Sequence, residues 1–268
     1  GVLDGVGRVG AAPLTLSIRD QAADVLVFDD FVASSPCHLN AIPTARHIRD
    51  WRLLLRSPSE GLALLTQLEE RLWACVRDQF LARPAWRAKF MSPHASQEPL
   101  EALRPHLILG VNYPPSQFQL HVQCIMPPLT PNHYRMYLEG KHFTKGRFFP
   151  LAYIKQLLAL DEPMEVTADT AIDKIVQRYS ARASYDDEHA RCYDAVGASH
   201  RKLANWKLDD FALRVEPAAA DSSSDVFARD KLVLQGYGRP YGPDGKPSGT
   251  HYLYAREEAC PSEVFAHV

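Results

Sequence analysis

Nothing in this chain approaches the ~18 consecutive apolar residues that a bilayer-spanning helix requires, because charges interrupt every greasy stretch within a few positions. No membrane partner is expected. Cysteine is sparse: Cys37, Cys75, Cys124, Cys192 and Cys260 stand singly, with no C-x-x-C pair and an odd total. That pattern argues against a zinc site and against a secreted disulfide framework, and the expected location is cytoplasmic. An excess of either charge is also missing. With 30 basic against 32 acidic residues and a net charge of −2, the chain as a whole has no electrostatic footprint for nucleic acid, and DNA is not expected as a partner. Phosphate loops are absent too: neither G-x-x-x-x-G-K-[ST] nor a helix-opening G-x-G-x-x-G occurs, so the Gly-rich stretch 236–249 reads as turns.

What is present is 46% hydrophobic content in 268 residues, enough for a sizeable core, and one stretch around which the rest can be ordered. From Phe118 to Ile125 apolar and polar residues alternate, which predicts a half-buried strand with Phe118, Leu120, Val122 and Cys124 toward a core. Gln119, His121 and Gln123 then share the opposite face. An ordinary solvated strand face would look the same. About 80 residues earlier, Val25 to Phe28 and His38 to Ile42 read as two strands joined by a turn through Ser34-Ser35-Pro36, with Asp30 just past the first.

The run Gln119-Leu-His121-Val-Gln123 resembles the alternating signature of the histidine triad superfamily, with His121 in the central place. The earlier hairpin is similar to that superfamily's first one: Asp30, Pro36, Ile42-Pro43 and His47 fall at or within one residue of the matching positions. Gln123 in the third place is similar to the galactose-1-phosphate uridylyltransferase and diadenosine tetraphosphate phosphorylase branches. Pro115-Ser116 is closer to the scavenger decapping and dinucleoside polyphosphate hydrolase branches. Gln119 departs from the family, which usually keeps a histidine there.

The resemblance covers about residues 24–160 and implies an α+β fold, a histidine-triad-like antiparallel sheet with helices packed on it. It implies an enzyme in which His121 attacks the α-phosphorus of a nucleotide, making a hydrolase or nucleotidyltransferase that needs no cofactor or metal. Gln119 and Gln123 would assist. Asp30 would bind the ribose hydroxyls, as a carboxylate accepting two charge-assisted hydrogen bonds of roughly 1.5–3 kcal/mol each. Asn112 and Ser116, beside the proposed nucleophile, and the cationic group Arg135, Lys141, His142, Lys145 and Arg147 are the candidates for phosphate, and His47 borders the same region. The expected partner is a nucleotide substrate, and a homodimer accords with the superfamily. Two rivals stand beside this reading: an inactive nucleotide-binding module, which Gln119 favours, and an interaction protein with a polar strand face.

Along the chain, residues 1–23 read as a flexible lead-in, 24–160 as the core and 161–268 as an extension packed on it. A helix capped at Ser59 carries Leu62, Leu65, Leu68, Leu72, Val76 and Phe80 on one face before Pro84. Residues 89–105 read as an irregular loop, 150–160, 171–179 and 184–204 as helices, and 206–215 and 225–235 as strands.

Overall fold

In the computed structural model the backbone is described for residues 6–9, 12–15, 17–206, 211–216 and 231–236, and side chains for residues 17–206. The strands are β1 (Val6–Val9), β2 (Ala12–Thr15), β3 (Ile18–Gln21), β4 (Val25–Asp29), β5 (Cys37–Pro43), β6 (Ile108–Asn112), β7 (Val122–Met126), β8 (Phe148–Pro150), β9 (Phe211–Glu216) and β10 (Lys231–Gly236). Two-stranded antiparallel pairs form between β1 and β2 and between β9 and β10. The central sheet has six strands in the order β3-β4-β5-β7-β6-β8, every pairing antiparallel. The fold class is the expected α+β, an antiparallel sheet with helices packed on it.

The edge strand β3 lies within the stretch that reads as a flexible lead-in. Its Arg-Asp-Gln run lacks an apolar signal, and it is held instead by the ladder to β4 and by an Arg19–Asp29 ion pair. Strand β5 is buried along its whole length, as a central strand covered on both faces must be.

The helices are α1 (Pro58–Val76), α2 (Pro84–Phe90), α3 (Leu100–Leu103), α4 (Pro131–Leu138), α5 (Leu151–Ala159), α6 (Ile172–Tyr179) and α7 (Tyr185–Leu203). The cap of helix α1 is Ser57, two residues before the expected Ser59, because Pro58 supplies the preset φ of a first helical position. Its Leu65, Leu68, Leu72 and Val76 stripe packs on one sheet face with α5, against Val25, Val27, Leu39 and Cys124. The expected loop 89–105 is largely short helical turns. At α7 the Ser184 hydroxyl accepts from Asp187 N–H and caps the helix.

The second sheet face is divided. At one end α4 and α7 bring Tyr134, Tyr137 and Val196 onto Ile108, Ile125 and Phe148. At the other, Leu26, Phe28 and Ile42 form a small cluster with Phe31. Polar side chains fill the band between. The register that pairs Phe28 with Asn40, and Asn40 with Gln123, sets that band on the same face as both apolar clusters. Gly110, opposite Gln123, could carry no larger residue without movement, since a Cβ there would meet the Phe148 ring at 2.3 Å.

Candidate active site

The strand expected over Phe118–Ile125 is ordered as a strand only from Val122. Its ladder to β5 ends at Ala41↔Val122, because the chain leaves the sheet after Pro43 and offers no further strand partner. Residues 118–120 pair instead with the crossing segment 43–48. Leu120 N–H donates to Ile48 O at 2.6 Å, His47 Nε2 donates to Phe118 O, and the Gln119 amide donates to Pro43 O at 2.7 Å and to Arg46 O at 3.3 Å. Gln119 Oε1 also accepts from Ile48 N–H. The side chain of Gln119 is therefore engaged with main chain, and His47 with it. Phe118, expected to face the core, is 64% exposed because its backbone is turned by these contacts.

His121 follows this clamp and keeps the parity of Gln123, so both belong to the polar band. Its Nδ1 donates to Gln119 O at 2.9 Å, which assigns the neutral ring's proton to Nδ1 and leaves Nε2 as the lone-pair nitrogen. No hydrogen bond engages Nε2 among the described residues. The ring is 8% exposed, more enclosed than a solvated strand face allows.

Asp30 stands on the same side, close enough for His121 to act on its charge. Burial opposes its ionisation, yet His38, the Asn40 amide at 2.6 Å and Val32 N–H at 2.7 Å hold its carboxyl below the ordinary value. His38 is itself pushed down by burial, against the pull of Asp30. Its Nδ1 accepts Ser34 N–H, so the neutral ring carries its proton on Nε2, 3.6 Å from Asp30 Oδ2. The amide and main-chain donors are then what keep Asp30 ionised. His38 Nε2 and Asn40 Oδ1 are buried and make no hydrogen bond.

The remaining expected site residues divide. Asn112 at the end of β6 and Ser116 in the following turn are exposed, and the half-buried Gln123 faces Asn40; none of the three side chains has a hydrogen-bond partner among the described residues. Arg147 adjoins them, since its carbonyl accepts Tyr113 N–H at 2.7 Å. Lys141 pairs with Glu139 and Lys145 with Asp186, and both lysines are exposed. Arg135 lies in the last turn of α4. His142 turns inward, its ring 5.2 Å from that of His133.

Sequence reasoning missed His38, Asn40 and His133. The signal was available for Asn40, a polar residue in the middle of a strand otherwise apolar enough to be central. His133 had none, because only α4 folding over the sheet brings it near His38.

Burial takes three histidines far from their ordinary value: His133 to about 4, with His142 and His200 to about 3 each. His200 Nδ1 also accepts Leu129 N–H, a bond that protonation would break. These groups bind protons in the unfolded chain below pH ~6.5 but not in the folded one, so stability is full above that pH and is lost as pH falls. Each contributes a slope of up to about 1.4 kcal/mol per pH unit. Melting temperature is expected to drop steadily from pH 6.5 to 4.5. Replacing His200 by Gln should flatten that slope, and an unchanged slope would remove His200 from the account.

No family model and no curated protein matches the chain. Among solved structures it is similar to a Hit-like protein involved in cell-cycle regulation from Bartonella henselae, at 19% identity over 44% of this chain and 74% of that one, with a TM-score of 0.23. It is also similar to the aprataxin ortholog Hnt3 in complex with DNA, at 14% identity over 66% and 90% of the two chains and a TM-score of 0.34. A complex of Hnt3 with DNA and guanosine gives 16% identity, the same coverage and a TM-score of 0.28. Similarity at this level carries no residue roles across. In its motifs the chain resembles the histidine triad superfamily. The exclusion of DNA is corrected here: two of these three structures are complexes with DNA, and a net charge near zero does not exclude a local concentration of positive charge.

Proposed function

We propose that the protein cleaves a phosphate anhydride of a nucleotide through a covalent nucleotidyl intermediate on His121. The substrate class is a dinucleoside polyphosphate, a nucleotide sugar or a cap-like nucleotide. The observation that carries this reading is the Nδ1–H bond to Gln119 O, which leaves Nε2 as an unengaged nucleophile in a polar band beside an ionised Asp30. In the first step Nε2 attacks the α-phosphorus, a P–N bond forms, and the anhydride P–O bond breaks with its electron pair leaving on the phosphate group. The carbonyl of Gln119 stabilises the positive ring that results. In the second step water, which gives up a proton to the solvent, or a phosphate attacks phosphorus, and the P–N bond breaks with its electron pair returning to Nε2, which restores the neutral imidazole.

Asn112, Ser116, Gln123 and Arg147 supply donors for the phosphoryl oxygens, each worth about 3–4 kcal/mol where such donors are preorganised. Asp30 accepts from the ribose hydroxyls. Gln123 can donate a hydrogen bond but cannot act as a general acid, which suits a phosphate leaving group rather than an alkoxide or amine. Lys141 and Lys145 act at most through their charge.

Rapid quenching at neutral to alkaline pH, followed by mass spectrometry of the digested protein, is expected to find a nucleotidyl mass on the peptide containing His121. An unmodified peptide throughout a measurable turnover would exclude the covalent route. The second reading, an inactive nucleotide-binding module, is favoured by the engagement of Gln119 with main chain, and it predicts nucleotide binding with no turnover of any anhydride.

A further inference from the structure

Phe118 is the most exposed large apolar side chain among the described residues. Its exposure does not come from a loose loop, because residues 118–120 are tied to 43–48 by the bonds from His47, Gln119 and Leu120. The fold thus holds an aromatic ring in water on a fixed backbone, three residues from His121, which places the two Cα atoms within about 10 Å. The Arg49 guanidinium lies 4.7 Å from the ring centroid, and Arg49 makes no ion pair among the described residues. The adjoining open cavity of about 200 Å³ shares His47 in its lining, and its two arginines are engaged, Arg46 with Glu60 at 3.1 Å and Arg56 with Val166 O at 2.7 Å. An aromatic face with an arginine over it that makes no ion pair among the described residues is the combination that stacks a nucleobase while neutralising a phosphate.

We propose that Phe118 and Arg49 form a stacking platform for a nucleobase carried by the leaving group, so that the preferred substrate joins two nucleoside-bearing parts through phosphates. The proposal rests on the nucleotidyl-transfer reading of His121 and narrows its substrate class: a hexose meets an aromatic ring only through its C–H groups and gains less from the platform than a base, whose π face also meets the arginine's charge. Arg49 lies over one face of the ring, so the base stacks on the other.

The test is calorimetric titration of the native protein and of Phe118→Ala with AMP, which lacks a leaving group, and with a diadenosine tetraphosphate carrying methylene in place of oxygen at both outer phosphate bridges, so that neither anhydride open to attack at an α-phosphorus can be cleaved. Phe118→Ala is expected to weaken the dinucleotide about tenfold or more while leaving AMP within twofold, and Phe118→Trp to retain tight binding. If AMP binds and the dinucleotide is indifferent to Phe118→Ala, the platform is refuted while the nucleotide site stands. If AMP itself fails to bind the native protein, the nucleotide reading falls and the platform with it. A change in sedimentation of Phe118→Ala with unaltered affinities would assign the ring to self-association and overturn the proposal. The substitution removes an exposed side chain with no core contacts, so folding, checked by thermal melting, is expected to be unchanged.

Discussion

Replacing His121 by Ala is expected to lower turnover of a dinucleoside polyphosphate by roughly ten-thousandfold or more, the scale on which loss of a covalent nucleophile is felt. No neighbouring group can substitute. Gln119 and Gln123 are amides, and His38 is buried with its Nδ1 already accepting from Ser34. Because the His121 ring is largely enclosed, the substitution is also expected to cost about 1–2 kcal/mol of stability. Activity should therefore be read below the variant's melting temperature. His121→Asn, which retains a polar side chain of smaller size, should lose as much activity with less loss of stability. Turnover within tenfold of native in both variants would rule out His121 as the nucleophile.

The largest expected effect on stability lies away from the chemistry, at Arg52. Its guanidinium binds Asp50 through two bonds of 2.8 Å, Nε to Oδ1 and Nη2 to Oδ2, and both side chains are 3% exposed. The same group donates to the carbonyls of Thr170 and Ala168 and lies 4.6 Å from the centre of the Tyr113 ring. Arg52→Ala would leave Asp50 buried without its partner and two carbonyls without donors, a loss of about 3–5 kcal/mol. Against a typical total of about 5–15 kcal/mol, that is a large fraction of the folding free energy. Arg52→Lys keeps the charge but cannot reproduce the planar fork, and should recover only part of the loss. Urea denaturation measures both. A loss below about 1 kcal/mol for Arg52→Ala would show that water enters and replaces these bonds. Tyr113 opens the turn that carries Ser116, so reduced affinity for phosphate is expected to accompany the lost stability.

The strands that pair across the core were legible because their signals are local. Val25 to Phe28 is apolar and β-branched, and the Ser34-Ser35-Pro36 turn fixes how the next strand returns. The helix carrying Leu65, Leu68 and Leu72 announced itself by spacing. Asp30 and His121 share a side because the parity of two strands brings them there, and parity can be counted in a sequence. Phe118 defeated the same counting. Period-two alternation continues through it, but the partner strand has already ended at Pro43, a fact that depends on residues 75 positions away. Lys141 and Lys145 were grouped with Arg147 by nearness in sequence. Glu139 and Asp186 engage the two lysines at the surface, while Arg147, also exposed, is tied by its carbonyl to Tyr113 N–H beside Asn112.

The contacts of Gln119 bear on how this sequence can change over evolutionary time. Its amide bridges Pro43 O, Arg46 O and Ile48 N–H, both accepting and donating across a width that an imidazole, with two nitrogens on a rigid ring, cannot span in the same way. A histidine at this position and the present path of residues 43–48 are therefore coupled characters. Acquiring the histidine alone strands main-chain groups that the amide now satisfies, and altering the crossing alone releases the amide. Descent between the two arrangements passes through paired substitutions, so the residue in the first place of the motif and the segment after Ile42-Pro43 should be inherited as a unit.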